Sequence, residues 1–114
     1  MGLVDFEQIK IHFGDDKLLI EQLVEVFKDT YAEVLDGLKI AVNEQSMGKI
    51  ELHAHTLKGM VANLFCQKIA DKCFELETRG RAESLLGDEV EVTNKIEELI
   101  AAMLEEYEKV NYDY

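Results

Sequence analysis

Residues 20–41 read IEQLVEVFKDTYAEVLDGLKIA, and their spacing decides the fold class. Ile20, Val24, Phe27, Tyr31, Val34, Leu38 and Ala41 alternate steps of four and three. That rhythm lays one apolar stripe along a long helix, whereas a half-buried strand would alternate every second residue. No Pro or Gly near Thr30 marks a kink, so the spacing leaves open whether the helix is straight or bent there.

The same reading extends outward in both directions. Phe6, Ile9 and Phe13 predict a short first helix, and Gly14-Asp15-Asp16 then breaks the chain, either Asp being able to cap the next helix. After the long stripe, Ser46-Met47-Gly48 separates a further helix carrying Ile50, Ala54, Leu57, Val61 and Leu64. A turn near Phe65 and Cys66 precedes the stripe Cys66, Ile69, Cys73 and Leu76, which ends around Gly80. Gly87-Asp88 punctuates again, and Asp88 with Glu91 three residues later predicts a capping box. The last helix runs on Val92, Ile96, Leu99, Met103, Tyr107 and Val110. Four striped helices with short connections predict an all-α chain: an antiparallel four-helix bundle with a short additional N-terminal helix, one domain over 1–114. Many unrelated scaffolds share that architecture, so function has to come from a site.

Composition agrees with helices and narrows the class. The 114 residues contain no Pro and no Trp, and an apolar content of 47% is too high for a disordered chain. No apolar run approaches the roughly 20 residues that span a bilayer. No basic segment followed by an apolar one marks a signal peptide, and Phe6 stands where a myristoylation motif needs Ser or Thr. The expectation is a cytoplasmic monomer without membrane insertion. A net charge of −12 disfavours nucleic acid and anionic lipid as partners. The charge is uneven: residues 47–81 carry Lys49, Lys58, Lys68, Lys72, Arg79 and Arg81 against Glu51, Asp71, Glu75 and Glu77. Cys66 and Cys73 are two helical turns apart, too far for a disulfide, and read as small core residues.

That least anionic segment contains the candidate site. At about 100° per residue, His55 falls well away from the Ile50, Ala54, Leu57, Val61 stripe. Gly59 and Ala62 share its outer face, with Lys58 alongside. A mid-helix Gly costs about 1 kcal/mol against Ala, and an exposed His beside it points to a docking surface. A neutral imidazole is a nitrogen nucleophile at physiological pH. Phosphoryl transfer needs little else from a protein than positioning and cations. Lys58 is placed to offset added negative charge. No Walker-type loop or G-x-G-x-x-G is present for a nucleotide. A metal site from His53, His55 and a cysteine is disfavoured, because residues two apart point to nearly opposite sides of a helix. His12 shows no partner in the sequence.

Residues 54–77, AHTLKGMVANLFCQKIADKCFELE, resemble the core motif of the histidine-containing phosphotransfer (HPt) domain, and the apolar spacing in residues 16–44 is similar to that family too. The resemblance implies that His55 is the phosphoacceptor, flanked by Lys58 and Gly59. It implies exchange of a phosphoryl group with the aspartate of response-regulator receiver domains. The chain would need no cofactor of its own, since Mg²⁺ is expected on the receiver, and it would not be an enzyme with its own ATP site. A hybrid sensor histidine kinase is a further candidate partner. Thr56, Gly59 and Ala62 would form the docking face. Two departures stand out: Met60 where the family usually has a small residue, and Phe65 where it usually has Gly. Phe65 is expected to alter the helix end or the docking rim and to leave the chemistry alone. The alternative function is a helical scaffold or regulatory interaction domain without phosphotransfer.

One further residue comes from geometry. If the chain turns near Cys66, an antiparallel hairpin sets Glu77 level with His55, each eleven residues from the turn. Glu77 also falls on the inward side of its helix, where a carboxylate needs a donor. It is a candidate to orient His55, with Lys58 the alternative donor and solvent at the bundle edge the alternative environment.

Overall fold

A computed structural model describes residues 2–110 of the chain. Its elements are α1 (Phe6–Phe13), α2 (Lys17–Glu44), α3 (Met47–Ala62), α4 (Gln67–Ala82) and α5 (Glu89–Lys109), with no strand among the described residues. α2 packs on α3, α3 on α4, α4 on α5 and α5 back on α2, closing a four-helix ring. The short connections make successive helices antiparallel. Residue 1 and residues 111–114, which the domain expected over 1–114 includes, lie outside the described part.

The long stripe of α2 folds as one unbroken helix, with Thr30 Oγ1 donating to Val26 O at 2.7 Å inside it. Its inward face differs from the strict four-and-three reading. Tyr31 and Val34 are only half-buried, while Leu35 is buried at 2% exposure. An α-helix repeats every 3.6 residues, so a 3.5-residue rhythm drifts by about 20° per heptad. In α2 Leu35 joins the core line between Phe27 and Leu38, and Ala41 and Val42 are both buried near the helix end.

Helix ends show which local signals act. Asp5 and Asp16 accept hydrogen bonds from Gln8 N and Leu19 N, both at 3.1 Å, and so start α1 and α2. The capping box at Asp88 does not form: no side-chain bond caps the start of α5 there. Asp88 turns to the Arg79 guanidinium at 2.7 Å instead. The buried Glu89 carboxylate holds the connection before α5, accepting from Leu86 N at 2.8 Å, Gly87 N at 3.0 Å and Arg79 at 2.8 Å. Arg79, delivered by α4, thus ties both carboxylates at the start of α5. Gly48 likewise lies inside the first turn of α3 and not in the connection.

α1 packs across the turn between α3 and α4. Phe65 there has φ 56, a left-handed conformation that favours glycine. Its carbonyl accepts from Asp5 N at 2.9 Å, and its ring meets Phe13 edge-on at 5.9 Å and His12 at 5.2 Å. His12 thus has partners that its sequence context does not reveal, including Gln8 O, 2.8 Å from its Nδ1. Next door, the buried Tyr107 hydroxyl donates to Leu64 O at 2.6 Å.

Gly80 lies close to the expected end of its helix and has a further role. It sits in the last turn of α4. A methyl group built on it would stand 2.7 Å from Met47 O and 2.8 Å from Glu51 N, both backbone atoms of α3. Neither can yield as a side-chain tip could. Gly80→Ala should therefore cost about 2 kcal/mol through overpacking, measured by urea unfolding. Gly48→Ala, with open space around it, should cost nothing. Equal stability of the two variants would contradict this packing.

Candidate functional site

α3 and α4 are the most extensively packed pair in the bundle, and the candidate site lies along their seam. The inner side of α3 buries Ile50, Ala54, Leu57 and Val61, which fixes the roll of the helix and turns His55 outward. The His55 side chain is 65% exposed. Thr56, Gly59 and Ala62 are exposed on the same helix, Thr56 Oγ1 being tied to Leu52 O at 2.9 Å. A methyl group built on Gly59 would meet nothing within 4 Å, so the fold itself has no use for a glycine there.

Glu77 reaches this seam from α4 and is 2% exposed. His55 Nδ1 lies 3.1 Å from Glu77 Oε2, and Lys58 Nζ lies 2.6 Å from Oε1. The two groups that the sequence offers as alternative donors therefore both sit on Glu77, His55 by a hydrogen bond and Lys58 by an ion pair. Oε1 has no aligned hydrogen-bond donor and is held by the Lys58 ion pair. Lys58 Nζ also stands over the Phe74 ring, 4.8 Å from its centroid. A third partner enters that sequence reasoning missed: Arg81 Nη2 donates to Glu77 Oε2 at 2.7 Å. Its position four residues after Glu77 on one helix was the available signal. Arg81 Nε also donates to Glu51 Oε2 at 2.8 Å, across to α3.

These contacts set the protonation of the site. Burial pushes the Glu77 carboxyl upward, but the contacts from Lys58 and His55 outweigh it and hold the group below its ordinary 4.5. An ionised carboxylate only accepts, so the shared proton resides on His55 Nδ1. In the neutral form of the ring, Nε2 is then the nitrogen with the lone pair. His53, by contrast, is half-buried against Gly37 of α2, where a Cβ would stand 2.8 Å from its Cε1. Cys66 and Cys73 are buried, and burial pushes the Cys73 thiol up to about 12. Among the described residues, no three His, Cys, Asp or Glu side chains are arranged to hold a metal ion, and no helix is long and apolar enough to cross a membrane.

The sign of the Glu77 effect gives a pH dependence. A carboxyl lowered in the folded chain adds stability at pH values above its ordinary 4.5, and that stability is lost as pH falls through the lowered value. Glu89 is lowered in the same direction by the Leu86 and Gly87 N–H groups and Arg79, against its burial. Glu77→Gln should be less stable than the parent chain at neutral pH and converge with it in acid, measured by urea unfolding across pH. A constant gap at all pH values would remove Glu77 from the acid transition. Glu77→Ala should also redistribute the His55 tautomers, read from the ring nitrogen NMR shifts.

Known sequences match the chain across this same seam. The family model of the Hpt domain matches residues 22–109, which takes in α3, α4, α5 and most of α2. The phosphorelay intermediate protein YPD1 of Candida albicans is 30% identical over 82 residues, 69% of this chain and 45% of that protein. The chain thus spans less than half the length of that relative. No solved structure matches. With the match covering most of its length and all four helices of its bundle, the chain belongs to the Hpt domain family.

Proposed function

We propose that this chain is a histidine phosphotransfer carrier: His55 takes a phosphoryl group from a receiver-domain aspartate and passes it to another receiver. The observation that supports it most is the pairing of an exposed imidazole with a buried carboxylate, His55 Nδ1 to Glu77 Oε2 at 3.1 Å. The Nε2 lone pair attacks phosphorus, the P–O bond to the aspartyl carboxylate breaks, and the carboxylate leaves. The proton stays on Nδ1, where Glu77 stabilises the positive charge that develops on the ring. Glu77 is in this reading a positioning residue, and Lys58 a nearby cation already held by it.

The divalent ion, Mg²⁺, belongs to the receiver, and no nucleotide is consumed by the carrier itself. The chain acts as a monomer in the cytoplasm, and a hybrid sensor histidine kinase is one source of the phosphoryl group. Docking falls on Thr56, Gly59 and Ala62. An exposed mid-helix glycine that the fold does not require gives up about 1 kcal/mol of helix stability. Close approach by another backbone is the reason for keeping it.

Transfer of label from a phosphorylated receiver should vanish in His55→Gln and persist in His53→Gln and His12→Gln. Transfer surviving in the first variant would reject the phosphoacceptor and favour a helical interaction domain without phosphotransfer. Gly59→Glu should abolish transfer while circular dichroism stays helical. Lys58→Ala should slow it only a few-fold, the order of one partly exposed cation, roughly 1 kcal/mol.

A further inference from the structure

The two cations on Glu77 are held in different ways. Lys58 is committed: its side chain is 28% exposed, its Nζ is 2.6 Å from Oε1, and its other side faces the Phe74 ring. Arg81 is 59% exposed and shared between two carboxylates, Glu77 at 2.7 Å and Glu51 at 2.8 Å. Glu51 stands one turn before His55 on α3. Gly48, Glu51, Leu52, His55, Glu77 and Arg81 together line one open hollow of about 340 Å³. The guanidinium and the imidazole are neighbours in it, since both bond to Glu77 Oε2.

Charge counting shows what this arrangement withholds. Lys58 and Arg81 balance Glu51 and Glu77, so these four side chains beside an unphosphorylated His55 carry no net positive charge. A phosphoryl group on Nε2 brings up to about two negative charges to the edge of this hollow. Arg81 is the cation able to turn towards it, because its pair with Glu51 is solvent-exposed and weak. A guanidinium also matches two phosphoryl oxygens in a bidentate fork.

We propose that Glu51 is a positioning residue that competes with the phosphoryl group for Arg81, holding the guanidinium back from the phosphoryl oxygens on Nε2 and so weakening retention of the group. The competition keeps phosphorylated His55 easy to discharge, which is what a relay intermediate needs. This inference rests on the phosphotransfer reading and adds a residue to it.

Phosphoramidate serves as the probe, with the full chain and no receiver. His55 Nε2 bonds to phosphorus, the P–N bond of phosphoramidate breaks, and ammonia leaves. At fixed phosphoramidate and ammonium concentrations, the ratio of phosphorylated to free chain is read by phosphorus NMR. Glu51→Gln should raise that ratio about threefold, the size of one partly exposed charge contact. Arg81→Gln should lower it, and Glu51→Gln added to Arg81→Gln should change nothing further. The gain in Glu51→Gln should fade in about 1 M sodium chloride, where surface charges are screened. An unchanged or lowered ratio in Glu51→Gln, or the same gain with and without Arg81, would overturn the proposal. Receiver transfer failing while these shifts persist would reject the relay reading alone. Intact transfer without the shifts would reject Glu51 alone.

Discussion

Gly80 lets α4 lie against the bare backbone of Met47 and Glu51, and the site on the α3–α4 seam depends on that closeness. One methyl group there would sit 2.7 Å from a carbonyl oxygen. The helices would have to part or roll to accommodate it. Glu77 lies on the same helix, three residues earlier, and its reach to His55 Nδ1 is 3.1 Å. A shift of even about half an ångström at the contact would lengthen that bond beyond useful geometry. The glycine thus acts on the chemistry through distance, without touching it.

The second constraint is electrostatic. A carboxylate as buried as Glu77 is costly unless donors surround it. Here an imidazole and an ammonium from α3 and a guanidinium from α4 do so, each on a side chain that also reaches solvent. The arrangement has a consequence for His55. A carboxylate can only accept, so one tautomer is selected and Nε2 is presented with its lone pair outward. A neutral amide in place of Glu77 could offer either its oxygen or its nitrogen and would fix the ring less firmly.

The far end of the seam is set by different means. Phe65 occupies a left-handed conformation at a cost of about 1–2 kcal/mol. Its aromatic contacts with α1, the Asp5 N–H on its own carbonyl and the Tyr107 hydroxyl on the Leu64 carbonyl offset this. That turn determines where α3 stops, and Ala62 is its last residue. A glycine would relieve the strain but surrender the packing that docks α1. Phe65 therefore shapes the helix end, at a distance from the His55 and Glu77 pair.

Much of this was legible in the chain itself. The apolar spacings determined the class of fold and the number of helices, because burial of one face is a local property of sequence. They also turned His55, Gly59 and Ala62 to the outside of α3. The inward angle of Glu77 came from its spacing on its own helix, and its level with His55 from counting residues across a turn. What the sequence could not supply were contacts whose partners are distant in the chain. Arg79 drawing Asp88 away from its cap, Arg81 joining Glu77 to Glu51, and the backbone that Gly80 must clear all depend on how two helices lie against each other. A charged side chain has several partners within reach, and a glycine looks alike whether it ends a helix or admits a neighbour. Only the packed bundle selects among them, because tertiary distances and not local preferences set which bond is the stronger.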